Sequence, residues 1–126
     1  MELDKDLMAR QEARAAAKAS EQAQKILARM DQTQLDAIVE AIASAFASSS
    51  ERLAQMAVEE TGFGNAQDKT TKNLFASETV AKALGDMKTV GVLNEKPGLW
   101  EIGVPMGVIA AIVPSTNPTP PCAIRR

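Results

Sequence analysis

The chain has 126 residues, with 14 Lys and Arg against 16 Asp and Glu, a single cysteine and no histidine. That size allows at most one modest domain or a piece of one, and a net charge of −2 gives no basis for binding nucleic acid. One cysteine and no histidine exclude a disulfide framework, a His-based catalytic dyad and a Cys/His metal centre within the chain.

Met1 to Met30 lacks the apolar core of a secretion signal, and no apolar run approaches the length of a membrane span. The cytoplasm is therefore the expected location. Glu2 to Arg29 is rich in alanine and in straight-chain charged residues, which predicts one long helix with Ile26, Leu27 and Met30 as an apolar edge. The expectation is that it packs on its own domain; the alternative is a tag that binds a partner or addresses the chain to a protein shell.

Asp31 followed by Gln34 forms a capping-box pair, and Leu35, Ile38, Val39, Ile42, Ala45 and Phe46 repeat at helical spacing, predicting a helix over about Gln32 to Ala47. Ser50 is the expected cap of a third helix carrying Leu53, Met56, Ala57 and Val58, closed by Gly62 in the left-handed conformation. Glu59 and Glu60 at its end are adjacent, so their carboxylates diverge and do not form an acid/base pair; a surface salt bridge to lysine is expected. Gly62 and Gly64 begin like a dinucleotide loop, but Gln67 stands where a third glycine is needed and no buried strand precedes them. Asn65 is the expected cap of a fourth helix reaching Leu84. On it Lys69 and Lys72 lie one turn apart, a spacing that suits either a phosphate clamp or, as expected here, a solvated face.

After Gly85, Lys88 to Leu93 and Leu99 to Val104 flank Asn94 to Gly98, predicting a half-buried hairpin with Trp100 and Ile102 alternating on one strand. Val108 to Val113 (VIAAIV) is short, rich in β-branched residues and bounded by Gly107 and Pro114, which predicts a strand. A strand apolar on both faces belongs inside a parallel sheet covered by helices, and ligands gather beyond the carboxyl ends of such strands. The loop Ser115, Thr116, Asn117 is therefore the candidate site.

GVPMGVIAAIVPSTNPT (Gly103 to Thr119), together with LAQMAVEETGFGNAQDKTTKNLFASE (Leu53 to Glu78) and KTVGVLNE (Lys88 to Glu95), resembles the aldehyde dehydrogenase family, the PSTNPT form being similar to its CoA-acylating branch. The resemblance runs from Asp31 to Thr119 with the blocks in the family's order. It implies an α/β fold of which this chain carries a helical segment and hairpin (residues 1–104) and the start of a Rossmann-like cofactor-binding domain (residues 105–126), its first strand included. It also implies oxidation of a small aldehyde with NAD or NADP to an acyl group taken by coenzyme A, a hairpin that helps build a homo-oligomer, and a cytoplasmic enzyme with a bacterial microcompartment as a more specific setting.

In non-acylating relatives the loop reads PWNFP, and its asparagine donates a hydrogen bond to the oxyanion. Ungapped counting puts that position on Thr116, and residue identity puts it on Asn117, so both are oxyanion-donor candidates, with Pro114 and Ser115 as cofactor-edge contacts. The family's nucleophilic cysteine lies further downstream. Cys122, beside Pro121 and without a basic neighbour, is expected to be an incidental thiol. No metal ligands and no membrane or nucleic-acid partner are expected. A sheet needs more strands than the residues after Thr119 can supply, so the chain is expected to be a truncated or frame-disrupted N-terminal piece, inactive alone. The rival expectation is a non-catalytic helical module that associates with full-length dehydrogenase subunits.

Overall fold

The computed structural model describes residues 4–119. Five α-helices, a π-helical stretch and one antiparallel hairpin follow in order. Cys122 and the Pro120–Pro121 pair lie outside the described residues.

The first helix, α1 (Lys5–Leu27), matches the alanine-rich stretch, but it does not pack on the domain as expected: none of its residues is buried. Leu7 and Met8 sit at one end and Ile26 and Leu27 at the other, all of them exposed, with alanine as the only apolar residue type between. A stripe of methyl groups removes too little apolar area from water to hold a helix of this length on a neighbour. Its one ion pair among the described residues, Glu21 with Lys25 at 3.5 Å, is on the surface and adds little.

α2 (Gln32–Ser48) starts on the predicted capping box: Asp31 accepts from the Gln34 amide at 2.9 Å, and the Gln34 side chain accepts from the Asp31 amide at 3.1 Å. Gln32 does a second job. Its Oε1 accepts from the backbone amides of Thr89 (2.8 Å) and Val90 (3.2 Å), pinning the approach to the hairpin against the first turn of α2.

α3 (Ser50–Thr61) follows after a single residue. The expected Ser50 cap is corrected: Ser50 is already helical, and Ser49 precedes it without a side-chain cap bond, because the same residue also closes α2, its amide donating to Ala45 and Phe46. Gly62 ends α3 as expected, at φ 69°. Asn65 then caps α4 (Ala66–Leu74), accepting from the Asp68 amide at 2.8 Å. The helix runs on through a π-helical stretch, Phe75–Val80, into a last turn, α5 (Ala81–Ala83).

Small residues make the core. Ala43 of α2, Ala54 and Ala57 of α3 and Ala76 of the π stretch are buried, Ala54 completely. Side chains this short let helix backbones approach closely. α4 lies on α3, while the π stretch and α5 lie on α2.

The hairpin is β1 (Gly91–Lys96) and β2 (Leu99–Gly103), paired from Gly91 with Gly103 to Lys96 with Leu99. Pro97 and Gly98 form the two-residue turn, Pro97 with its φ preset and Gly98 at φ 79°. The ladder slips by one residue between Val92 and Asn94, leaving Leu93 as a bulge. Gly103 has to be glycine, since a Cβ there would run into the Thr89 carbonyl. Val92, Trp100 and Ile102 share one face of the ribbon and are exposed, where the sequence had pointed to half-burial.

Val108 to Val113 carries no ladder. Among the described residues the one sheet is the β1–β2 hairpin, so the apolar run stands unpaired, with Ile112 98% exposed. A strand exists through its neighbours, and none lies beside this one.

Two substitutions separate core from surface. Ala54→Leu should overpack the α3–α4 contact and lower unfolding stability by about 1–3 kcal/mol, whereas Ile112→Ala should stay within about 0.5 kcal/mol. Urea unfolding monitored by far-UV circular dichroism checks both. Equal effects would mean that the alanine layer is not the core.

Candidate functional site

Pro114, Ser115, Thr116 and Asn117, the residues singled out from the sequence, form one turn: the Asn117 amide donates to the Pro114 carbonyl at 3.2 Å. Pro118 follows and steers Asn117 away from helical backbone angles. Pro114, Ser115 and Thr116 are exposed, and Asn117 is half-buried. The side chains of Thr116 and Asn117 make no hydrogen bond among the described residues. Among the described residues their donors are thus uncommitted, at a fixed place on the surface.

The turn is fixed from behind by α4. Lys69 Nζ donates to the Thr116 carbonyl at 3.0 Å, and Thr119 Oγ1 donates to Asn73 Oδ1 at 2.6 Å. Asn73 is 1% exposed and donates its own Nδ2 to the Ser50 carbonyl at 3.0 Å, so the amide joins α3, α4 and the loop. Ser77 Oγ donates to the Asn73 carbonyl one turn on, at 2.8 Å.

Lys69 therefore corrects the expected solvated lysine face. Lys72 is exposed, but Lys69 is 7% exposed, with Gly64 beside its aliphatic stem. Glu59 and Glu60 are exposed, and Glu59 accepts from the Gln55 amide at 2.8 Å instead of meeting a lysine. The roles of Lys69 and Asn73 escaped the sequence reading, although a signal was there. Ala66, Lys69, Asn73, Ala76, Val80 and Leu84 recur at helical spacing, which puts the two polar residues on the stripe that faces inward.

A turn with two uncommitted side-chain donors, held by a buried ammonium and a buried amide, is equipped to hydrogen-bond an oxygen that gains negative charge. The described residues contain no cluster of three or more His, Cys, Asp or Glu suited to a metal ion, and no helix long and apolar enough to cross a membrane.

Residues 5–120 match the profile of the aldehyde dehydrogenase family. The bifunctional aldehyde-alcohol dehydrogenase of Escherichia coli K12 is 48% identical over 99 residues, which are 77% of this chain and 11% of that protein. The acylating sulfoacetaldehyde dehydrogenase of Cupriavidus necator is 43% identical over 101 residues, 77% of this chain and 20% of that one. The crystal structure of an acetylating aldehyde dehydrogenase from Geobacillus thermoglucosidasius superposes with a TM-score of 0.90 at 48% identity, over 96% of this chain and 27% of that one. The chain thus spans a small part of the length of each relative.

Asn73→Leu keeps the bulk of the side chain and removes both of its hydrogen bonds. It should lower stability by about 1–3 kcal/mol, measured by chemical unfolding. A loss no larger than that of an exposed substitution such as Lys72→Leu would show that the buried amide contributes nothing.

Proposed function

Because the chain belongs to the aldehyde dehydrogenase family, we propose that it forms the N-terminal helical layer and the substrate-facing loop of a CoA-acylating enzyme, which converts a small aldehyde, coenzyme A and NAD to an acyl-CoA, NADH and a proton. The single observation that carries this reading is the turn at Pro114 to Asn117, whose two side-chain donors are without a bond among the described residues and are backed by buried groups. The names of the relatives, acylating and aldehyde-alcohol dehydrogenases, supply the reaction class.

Addition of a thiolate to an aldehyde carbonyl places negative charge on the former carbonyl oxygen. A donor already aimed at that point stabilises the addition more than the ground state, and so raises the rate. In this reading Asn117 or Thr116 is that donor, and the thiolate comes from a cysteine other than Cys122.

NAD, or NADP, would accept the hydride. The described residues do not make a dinucleotide pocket by themselves: Pro114 and Ser115 offer only an exposed edge, and Gln67 replaces the third glycine that the Gly62–Gly64 loop would need. Their part is limited to contact at the cofactor's edge. Coenzyme A enters as co-substrate. The exposed face of Val92, Trp100 and Ile102 suits contact with a second subunit in a homo-oligomer, and the cytoplasm is the proposed setting.

One observation favours the rival reading of a helical assembly module: α1 buries nothing of its own. The two readings separate in a hybrid enzyme in which this segment replaces the matching quarter of the Geobacillus enzyme. There Thr116→Ala and Asn117→Ala are made separately. One of them should lower kcat about 100- to 1,000-fold, the usual cost of one oxyanion donor, while the 126-residue chain alone should show no CoA-dependent NAD reduction with acetaldehyde. If neither change lowers kcat by even about tenfold, the loop is structural and the module reading gains.

A further inference from the structure

We propose that Lys69 and Asn73 are positioning residues for the loop, setting the direction of Thr116 and Asn117 without touching substrate; the inference rests on the reading of that loop given above. The peptide group joining Thr116 to Asn117 is held at both ends. Its carbonyl accepts from Lys69 Nζ at 3.0 Å, and its N–H, that of Asn117, donates to Pro114 at 3.2 Å. A peptide plane fixed on both sides fixes the two Cα atoms that bound it, so that one backbone torsion at each, with the side-chain rotamer, is left to aim the two candidate donors. An ammonium on the carbonyl also polarises the group and strengthens the N–H bond across the turn.

Thr119 supplies the second anchor. Its bond to Asn73 stops the loop from pivoting about the Lys69 contact. Lys69 and Asn73 are four residues apart on one face of α4, so the spacing of the two anchors is set by the pitch of a helix that is itself locked to α3 through Ser50. Both side chains are more than nine-tenths buried. Burying a lysine is unfavourable unless its ammonium is hydrogen-bonded, and the acceptor at this site is the loop's own carbonyl. The burial therefore points to a working contact and away from a stray surface lysine.

Amide hydrogen exchange of the purified chain tests the clamp independently of any activity. Lys69→Met keeps the stem and removes the donors, and Thr119→Val releases the other anchor without altering a helix. Each should speed exchange at the Asn117 amide by about tenfold or more, with the amides of Ala54 and Ala57 in α3 unchanged. Unchanged exchange at Asn117 in both variants would overturn the proposal. If Lys69→Met loosens α3 as well, Thr119→Val alone decides, since in it Asn73 keeps its bond to the Ser50 carbonyl and the α3 amides report whether the core has held.

In the hybrid enzyme, Lys69→Met should lower kcat by about tenfold or more and leave the KM for NAD unchanged, as expected of a group that orients a donor and binds no cofactor. If Asn117→Ala or Thr116→Ala depresses kcat but Lys69→Met does not, the positioning role is wrong and the oxyanion reading stands. If none of them depresses kcat, the oxyanion reading is wrong, and with it the catalytic purpose of the clamp, whatever the exchange data say about the contact itself.

Discussion

The amide of Asn73 is the point on which the arrangement depends. It is the largest fully buried side chain, set among alanines with Ser50, Lys69 and Ser77 buried nearby, and an unbonded amide there would cost several times the average net value of a hydrogen bond. Two groups satisfy it, the Ser50 carbonyl at the start of α3 and the Thr119 hydroxyl at the end of the loop. Because a buried polar group accepts few geometries, it specifies where α3, α4 and the loop sit relative to one another more sharply than the methyl contacts around it can.

Those methyl contacts explain why such specification matters. A core of Ala43, Ala54, Ala57 and Ala76 brings helices close but removes little apolar area from water, while Ile42, Met56, Phe63 and Phe75 remain exposed. Apolar burial therefore contributes less here than in a core of leucine and phenylalanine. Directional bonds carry more of the burden: the capping box at Asp31, the Gln32 bonds to Thr89 and Val90, and the Lys69 and Asn73 anchors.

What was legible in the sequence follows the same division. Features set by neighbours a few residues away could be read directly: the Asp31–Gln34 box, the Gly62 terminus, the Asn65 cap, and the hairpin with its turn at Pro97 and Gly98, because each depends on local backbone chemistry. The loop at Pro114 to Asn117 was found from its position after an apolar run and from its likeness to a family motif. Features set at a distance were missed. Lysine is usually solvated, and only a carbonyl 47 positions along the chain makes burial of Lys69 tolerable. The alanine-rich α1 reads as a packing helix, but packing depends on a partner face that sequence periodicity does not reveal. Val108 to Val113 has the composition of a buried strand, and strand pairing is likewise a property of neighbours.

The π-helical stretch has a consequence for how this helix divides its contacts. Ahead of it, α4 faces α3; the stretch itself and α5 face α2. In an ideal α-helix each residue turns the face by about 100°, and a π turn takes up one residue more than an α turn. Phe75–Val80 thus acts as a rotational offset between two docking faces on one continuous rod. Wound as ordinary α-helix with the same number of residues, the stretch would swing Val80, Ala81 and Leu84 round the axis by roughly 100°, whereas a chain one residue shorter there would close into α-helix and leave them in place. Measured in chain length, the stretch absorbs a single extra residue, so that the turns beyond it keep facing α2, and a relative aligned with a one-residue gap at this place would seat α2 in the same way through ordinary α-helix.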